Sequence, residues 1–249
     1  MEKLKNKRVL ITGASSGIGR ATAEILSKEG VELFLLARRE DKLKEIQNEL
    51  GSHVHILVAD VNDKDLAKKI SAFTSEKIDI LINNAGLALG RDKVETSLWA
   101  DMESMIETNI TANFRVAHSV VPWMLKNGGG DIINLCSIAG HHTYPGGAVY
   151  CATKHAVLAF TRALREETAG KNLRVMQISP GMVDTEFSSV RFKGNTDLAD
   201  TVYKGMKPLL AEDIAEMMLF MLTRPRHVVI DEIITMPEAQ GSPTTVVRK

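Results

Sequence analysis

Short apolar runs alternate with amphipathic stretches along most of the chain. The runs are rich in Val, Ile and Leu, which is typical of strands buried on both faces of a parallel sheet. The stretches between them carry apolar residues three or four positions apart, which is the period of an α-helix. The predicted strands span residues 8–12, 32–37, 54–59, 78–83, 131–136, 173–178 and 228–236. The predicted helices span residues 18–29, 41–50, 63–75, 98–126, 150–167 and 211–223.

This alternation predicts the α/β class, as a single-domain, Rossmann-like doubly wound parallel sheet flanked by helices on both faces. No linker or shift in composition divides residues 1–249, so we expect a single domain. Two stretches lack clear periodicity. The first, about 182–208, is long enough to be a lid over a site, and the second is a tail at about 238–249. Pro122 is expected to kink the long helix or to end its regular hydrogen bonding.

Composition and charge exclude several function classes. The 249 residues include 31 Lys+Arg and 31 Asp+Glu, so the formal net charge is zero. A chain without net positive charge is a poor general binder of nucleic acid or membrane surfaces. The first apolar run, residues 9–11, is too short for a signal peptide or a membrane span, which predicts a cytoplasmic location. Cys136 and Cys151 form neither a disulfide framework nor a zinc motif, so no metal is expected.

A glycine-rich turn follows the first predicted strand and opens the first predicted helix. Its spacing is GxxxGxG, which lets the backbone approach a pyrophosphate at the positive end of a helix. Serine hydroxyls within the turn can add hydrogen bonds. The residues predicted to bind phosphate are Gly13, Ser15, Ser16, Gly17, Ile18 and Gly19.

The end of the second strand indicates which dinucleotide binds. Folds that prefer NAD usually place an acidic residue there to accept from the ribose 2′-hydroxyl. This chain has Arg38 and Arg39 instead, about 20 residues after the turn, and two guanidinium groups suit a 2′-phosphate. The expected cofactor is therefore NADP(H). Asp60 ends the third strand, where it suits either a contact with the adenine edge or a turn and N-cap role.

A tyrosine and a lysine share one face of the helix predicted at 150–167. Tyr150 and Lys154 are spaced i, i+4. A nearby ammonium group is expected to lower the pKa of the phenol toward neutrality, where general acid–base catalysis is most efficient. Ser137 lies at the carboxyl end of the fifth strand, and these ends form the ligand crevice of a doubly wound sheet.

These motifs together resemble the short-chain dehydrogenase/reductase family over nearly the full chain. The matching segments are TGASSGIG at 12–19, NNAG at 83–86, Asn109, Ser137, the YxxxK pair, and Pro180-Gly181 with Thr185. The resemblance implies hydride transfer between NADP(H) and a small hydroxy or oxo substrate. It also implies that Tyr150 exchanges a proton with the substrate oxygen and that Ser137 holds this oxygen. Lys154 is implied to bind the nicotinamide ribose, and Asn109 a water that connects Lys154 to solvent.

The resemblance implies further residues along the cofactor cleft and a homotetrameric assembly. These cofactor residues are Val61, Asn84, Pro180, Gly181, Val183 and Thr185. The helices at 98–126 and 150–167, together with the last strand, are the expected contact surfaces, and the tail is expected to reach a neighbouring subunit.

Substrate identity is less determined by the sequence. Residues 87–90, 183–194 and 234–237 are similar to NADP-dependent 3-hydroxy acid dehydrogenases, which act on serine and related compounds. Arg191 and Lys193 suit recognition of a substrate carboxylate, although both also fit a role as solvated lid charges. The alternatives are a 3-oxoacyl thioester reductase, a broad carbonyl or hydroxysteroid reductase, and, outside enzymes, an NADPH-binding regulator.

Overall fold

Nine strands occur in the computed structural model, which describes residues 4–249. They are β1 Arg8–Thr12, β2 Glu32–Ala37, β3 Val54–Val58, β4 Ile80–Asn83, β5 Gly130–Leu135, β6 Leu173–Pro180, β7 Val183–Asp184, β8 Leu209–Leu210 and β9 Glu232–Thr235. Seven of them form a parallel sheet in the order β3-β2-β1-β4-β5-β6-β9. The two short strands β7 and β8 pair with each other beside the main sheet.

Helices connect these strands on both faces of the sheet. They are α1 Gly17–Ser27, α2 Glu40–Leu50, α3 Leu66–Thr74, α4 Trp99–Ile106, α5 Asn113–Lys126, α6 Ala148–Thr168, α7 Phe187–Arg191, α8 Thr196–Thr201 and α9 Ala211–Leu222. The doubly wound parallel sheet predicted from the sequence is confirmed. The element ends differ from the predicted ones by a few residues, and the last strand is shorter, because residues 228–231 do not join the ladder.

The core lies in two layers because successive strand residues point to opposite faces. In β1, Val9 and Ile11 pack into a cluster with residues of α1, α2 and α9. Leu10, between them, packs with residues of α3, α5 and α6 on the other side. Both layers exclude water, which explains why the strands read as continuous apolar runs.

The long predicted helix is interrupted, but not at Pro122. Regular α-helix stops at Ile106, a π-helical turn occupies Glu107–Ala112, and α5 then continues past Pro122 to Lys126. Pro122 therefore does not end the helix, and the buried residues Val120 and Met124 on either side hold this end of α5 against the sheet. The kink expected at Pro122 stays a prediction. The π turn inserts an extra residue, and such turns often occur at functional sites.

The lid (residues 182–208) and the tail (residues 238–249) have their own structure. The lid contains β7, α7 and α8. The tail folds back through a bridge between Gln240 and Val246 and then contacts the far end of the lid. The Lys249 N–H donates to the Gly205 carbonyl at 2.9 Å, and Arg248 donates to the Val202 carbonyl at 2.9 Å. The tail therefore packs on the lid of its own chain, whereas its expected contact with a neighbouring subunit stays a prediction.

The order of the sheet determines where a ligand can bind. The chain winds from β1 through β2 to β3 and then returns to the other side of β1 with β4. The crevice at such a reversal, outside the carboxyl ends of the strands, is the ligand site of doubly wound folds. Among residues 4–249, no helix combines the length and the apolar character needed to cross a membrane.

Candidate active site

A cavity of about 580 Å³ opens at this reversal, and its size is typical of a small-molecule site. Most of the residues predicted from the sequence line it. Those that do are Gly13, Ser15, Ser16, Gly17, Ile18, Arg38, Arg39, Asp60, Val61, Asn84, Ser137, Tyr150, Lys154, Pro180, Gly181, Val183, Thr185 and Arg191. The two that lie behind the wall are Gly19 and Asn109, and both support residues that line the cavity.

The glycine turn has the backbone geometry that a pyrophosphate requires. Gly13 and Gly17 have φ values of +66° and +52°, which residues with side chains rarely adopt. A side chain at Gly19 would overlap the carbonyl oxygen of Gly13, so the third glycine permits the close packing of the turn on α1. Asn84 holds the turn from β4, because its Nδ2 donates to the carbonyls of Thr12 and Gly13 at 2.9 and 3.2 Å.

The two arginines after β2 lie at the same end of the cavity as the turn. The Arg39 guanidinium donates to the hydroxyls of Ser15 and Ser16 and to the carboxylate of Glu186 in the lid. Arg38 is largely exposed, and its Nη1 lies 3.6 Å from a carboxylate oxygen of Asp60. The other oxygen of Asp60 accepts the Asn62 N–H at 2.9 Å, so the turn role considered for this residue is present in the structure.

These features fit the adenosine half of a dinucleotide phosphate. The helix α1 begins at Gly17 with no side-chain cap on its first N–H groups, so they can bind a pyrophosphate. A Cβ at Gly17 would lie 3.2 Å from Thr185 of the lid, so glycine leaves space between the lid and the turn. The guanidinium groups beyond the turn have the charge and shape for an additional phosphate.

The other end of the cavity contains the tyrosine, serine and lysine. Helix α6 buries Tyr150, Lys154, Val157 and Thr161, which are three or four positions apart, against the sheet. Ser137 follows β5, and its Oγ accepts the Ala139 N–H at 3.1 Å, which fixes a short turn after the strand. Tyr150 and Lys154 on α6 and Ser137 after β5 therefore line the same end of the cavity, as the sequence predicts.

Burial, not the lysine, dominates the ionisation of Tyr150. Removal of its phenol from water raises the pKa of Tyr150 well above its ordinary value. The hydrogen bond with Ser137 and the positive charge of Arg191 oppose this rise. Lys154, whose Nζ lies 5.9 Å from the centre of the ring, is not among the groups that lower this pKa, so its expected effect on the phenol stays a prediction.

Lys154 is itself buried without a carboxylate partner among residues 4–249. Its Nζ donates to the Leu135 carbonyl at 3.0 Å. Burial lowers the pKa of the Lys154 ammonium group, because a charged group loses hydration that one neutral acceptor does not replace. An acceptor supplied by a ligand would therefore find a cation with unused hydrogen-bonding capacity.

Asn109 lies in the π turn, and its amide holds the loop that follows β4. Its Oδ1 accepts the Leu87 N–H at 2.8 Å, and its Nδ2 donates to the Leu87 carbonyl at 2.8 Å. The same Nδ2 donates to the Thr153 hydroxyl at 3.1 Å, one residue before Lys154. The side chain thus connects α6 to the cavity wall, and its role in holding a water stays a prediction.

Arg191 brings a positive charge over the tyrosine. Its Cζ lies 5.6 Å from the centre of the Tyr150 ring. It is held there by bonds from Nε to the Gly90 carbonyl at 3.0 Å and from Nη2 to the Tyr144 hydroxyl at 3.1 Å. Lys193, the other lid cation considered, forms an ion pair with Asp101 of α4 at 2.8 Å and does not line the cavity.

Several lining residues carried no recognisable signal in the sequence. Tyr144 supports Arg191, and Phe187 of α7 packs its ring 5.8 Å from that of Tyr150. Gln240 of the tail accepts the Met182 N–H at 2.9 Å, at the start of the lid. These contacts join segments far apart in the chain, so neither periodicity nor motif spacing could reveal them.

A dinucleotide-type turn that faces a buried tyrosine–lysine pair defines an oxidoreductase of the Rossmann type. The model of the short chain dehydrogenase family matches residues 7–195, and the chain belongs to that family.

Known proteins similar to this chain include two dehydrogenases and one solved structure. The chain is 47% identical to the NADP-dependent 3-hydroxy acid dehydrogenase of Schizosaccharomyces pombe, over 100% of this chain and 99% of that protein. It is 40% identical to the serine 3-dehydrogenase of Agrobacterium fabrum, over 94% of each. The closed form of serine dehydrogenase complexed with NADP⁺ superposes with a TM-score of 0.92 at 36% identity, over 97% of this chain and 99% of that one.

Proposed function

We propose that this chain is an NADP-dependent dehydrogenase that interconverts small 3-hydroxy acids, such as serine, and their 3-oxo forms. The arginines beyond the glycine turn support NADP as the cofactor, in agreement with the cofactor named for two of its relatives. The observation that carries the substrate class is the position of Arg191, 5.6 Å from the ring of Tyr150 in one cavity.

The distance between these two groups suits a 3-hydroxy acid. One carbon atom separates the reacting carbon from the carboxylate carbon, so an oxygen held at Tyr150 leaves the carboxylate within reach of Arg191. A guanidinium group can bind a carboxylate through two parallel hydrogen bonds. Because Gly90 and Tyr144 already orient Arg191, little conformational entropy is lost when the carboxylate binds.

The proton passes through Tyr150. In carbonyl reduction, its Oη donates the proton to the substrate oxygen, and in alcohol oxidation it accepts the proton from the hydroxyl group. Ser137 donates a hydrogen bond to the same oxygen and keeps it beside the phenol. NADP, when bound, supplies or accepts the hydride. Phe187 covers the phenol ring, which limits the access of water to the reacting atoms.

Lys154 and Asn109 act next to the tyrosine. We assign the Nζ of Lys154 to the hydroxyls of the nicotinamide ribose, which replace the hydration lost on burial. A ribose held there keeps the positively charged ammonium group beside the phenol. This charge favours the phenolate and offsets part of the rise in the pKa of Tyr150. Asn109 keeps Leu87 and Thr153 in place around this lysine and is assigned the water that connects it to solvent.

The assembly and location expected from the sequence remain part of the proposal. We propose a cytoplasmic homotetramer that acts on a small-molecule substrate, without a nucleic-acid or membrane partner. Two of the expected contact surfaces carry an exposed large apolar side chain, Trp99 in the helix predicted at 98–126 and Ile234 in the last strand, which supports the assembly.

The direct test is NADP-linked turnover on a matched substrate panel. Its members are a 3-hydroxy acid, the corresponding uncharged alcohol, a 3-oxoacyl thioester and a hydroxysteroid. The proposal predicts the highest kcat/KM for the 3-hydroxy acid. A preference for the thioester or the steroid would contradict the proposed substrate class and favour the corresponding reductase. Tight NADPH binding with no turnover on any member of the panel would indicate a regulator.

A charge-matched pair of variants tests the carboxylate contact. The Arg191→Ala variant should lose about 100-fold or more in kcat/KM for the 3-hydroxy acid but much less for the uncharged alcohol, because a charge-assisted contact is removed. The Lys193→Ala variant removes an equal charge from the lid outside the cavity and should keep both activities. Equal losses on both substrates in Arg191→Ala would contradict the assignment.

A further inference from the structure

Glu186 of the lid contacts the arginine that is assigned to the 2′-phosphate. Its Oε2 accepts a hydrogen bond from Arg39 Nη1 at 2.8 Å, between residues 147 positions apart in the chain. Glu186 directly follows Thr185, whose side chain lies against Gly17. The first residues of the lid therefore meet both the glycine turn and the phosphate-binding arginine.

The hydrogen-bonding capacity of Arg39 is nearly used up in this arrangement. A guanidinium group has five N–H donors. Arg39 donates two hydrogen bonds to Ser15, at 3.2 and 3.1 Å, one to Ser16 at 2.7 Å, and one to Glu186. A phosphate bound through two parallel N–H groups needs two donors. At least one of the four contacts must therefore give way when the 2′-phosphate binds to Arg39.

Glu186 is the one negatively charged group among these three partners of Arg39. A serine hydroxyl can remain beside a phosphate, because its own hydrogen can donate to a phosphate oxygen. A carboxylate can only accept, and it repels the phosphate as well. Both hydrogens of Arg39 Nη2 bond serines, so a phosphate that binds Nη1 and Nη2 in parallel takes the place of one serine contact. The contact of Nη1 with Glu186 is the one that opposes the phosphate by charge.

We propose that Glu186 sets the cofactor selectivity of the cleft by competing with the 2′-phosphate of NADP for Arg39. This inference rests on the proposed binding of the 2′-phosphate by Arg39. The carboxylate lowers the affinity for NADP(H) more than that for NAD(H), because only the phosphorylated cofactor places a further negative charge beside it. This repulsion also weakens the contact of the lid with Arg39, so the start of the lid responds to which dinucleotide is bound.

Arg38 provides a contrast within the same site. Its nearest carboxylate, Asp60, lies 3.6 Å away, which is an ion pair rather than a hydrogen bond. Asp60 is also committed to the turn through Asn62. Arg38 can thus turn toward a phosphate at little cost, whereas Arg39 has to leave a partner that is well placed.

The test measures the dissociation constants of NADPH and NADH for the whole protein by the fluorescence of the reduced nicotinamide. The Glu186→Gln variant keeps the shape of the side chain but removes its charge. The ratio of the NADH constant to the NADPH constant should rise about three- to ten-fold in this variant, as expected for the removal of one nearby charge from a dianion site. The matched control is Asp184→Asn, which removes the same charge from an exposed lid position that does not contact Arg39, and its ratio should stay unchanged.

A second pair of variants separates this inference from the proposed role of Arg39. In Arg39→Gln, the preference for NADPH should fall sharply, and a further Glu186→Gln change should no longer alter the ratio. An unchanged preference in Arg39→Gln would contradict the assignment of the 2′-phosphate itself.

Three results would overturn the role of Glu186 while leaving Arg39 in place. A lower ratio in Glu186→Gln would mean that the carboxylate orients Arg39 for the phosphate instead of competing with it. An unchanged ratio would mean that the contact has no influence on selectivity. An equal rise in Asp184→Asn would assign the effect to the general charge of the lid.

Discussion

Two buried cations lie at opposite ends of the sheet and have opposite surroundings. At the amino ends of β5 and β6, Arg174 donates to both carboxylate oxygens of Asp131, at 2.6 and 3.1 Å, and to the carbonyls of three residues near the end of α9. At the carboxyl ends, Lys154 donates to the carbonyl of Leu135. The first cation is neutralised by an opposite charge within the fold, whereas the second has only a neutral acceptor in the part of the chain that the structure describes.

This difference distinguishes a buried cation that stabilises the fold from one that lies at a ligand site. A buried charge is tolerated when a partner and hydrogen bonds compensate its lost hydration. The cluster around Asp131 meets this condition, and Arg226 adds a second guanidinium to the same carboxylate. The buried charges at that end of the sheet are therefore compensated by groups of the protein itself. The site around Lys154 does not meet this condition, because one neutral acceptor does not replace the lost hydration of the ammonium group. A ligand with hydroxyl or anionic acceptors would supply the missing hydrogen bonds.

Of the two cations, Lys154 is expected to have the larger effect on activity, and Lys154→Met replaces it by an apolar side chain of similar length. We expect kcat to fall by about 100- to 10,000-fold, which is the usual range for loss of acid–base assistance. The free energy of unfolding should stay the same or rise, because an unpaired charge leaves the interior. Steady-state assays and urea titration measure the two quantities. A strongly destabilised Lys154→Met variant would show that Lys154 stabilises the fold, as Arg174 is expected to do, and would contradict the difference drawn between the two cations.

The corresponding change at the other end, Arg174→Met, should act in the opposite way. We expect it to destabilise the fold by about 3 kcal/mol, because Asp131 loses its main partner in a buried setting. The dissociation constant of NADPH for the folded protein should remain within two-fold of that of the unchanged protein. Urea titration and a binding titration give both values. A stable Arg174→Met protein with impaired NADPH binding would reverse the roles assigned to the two ends.

A smaller effect is expected in the pH profile of Arg191→Gln. The guanidinium charge opposes the rise in the pKa of Tyr150, so its removal raises that pKa further. Oxidation of an alcohol needs the phenol in its deprotonated form, and its rate therefore increases as the pH rises through this pKa. The rise in kcat for an uncharged alcohol should move to higher pH in Arg191→Gln and stay in place in the matched Lys193→Gln variant. A shift to lower pH would contradict the electrostatic role of Arg191.

Most of the sheet and the centre of the site could be predicted from local features of the sequence. The strands are continuous apolar runs, and their alternation with helices determines a parallel sheet. The spacing of Tyr150 and Lys154 places them on one helical face, and the sheet brings Ser137 to the same edge. Each of these inferences needs only neighbouring residues and the general geometry of the fold.

The features that were not predicted depend on contacts between distant segments. The π turn at Glu107–Ala112 is accompanied by the bonds of Asn109 to Leu87 and Thr153, and nothing in its own sequence marks it. The burial of Tyr150, which raises its pKa, arises from the packing of the lid and the loop around Tyr144. The packing of the tail on the lid likewise joins residues that no local pattern relates.

Proton transfer by Tyr150 is the central step of the proposed reaction, and Tyr150→Phe tests it. This variant removes only the hydroxyl group and keeps the ring that packs against Phe187. The measurement is kcat for the 3-hydroxy acid with NADP, together with the dissociation constant of NADPH. We predict that kcat falls by about 1,000-fold or more while the dissociation constant changes by less than about two-fold. Turnover within ten-fold of the unchanged protein would contradict the assignment of Tyr150 as the acid–base group.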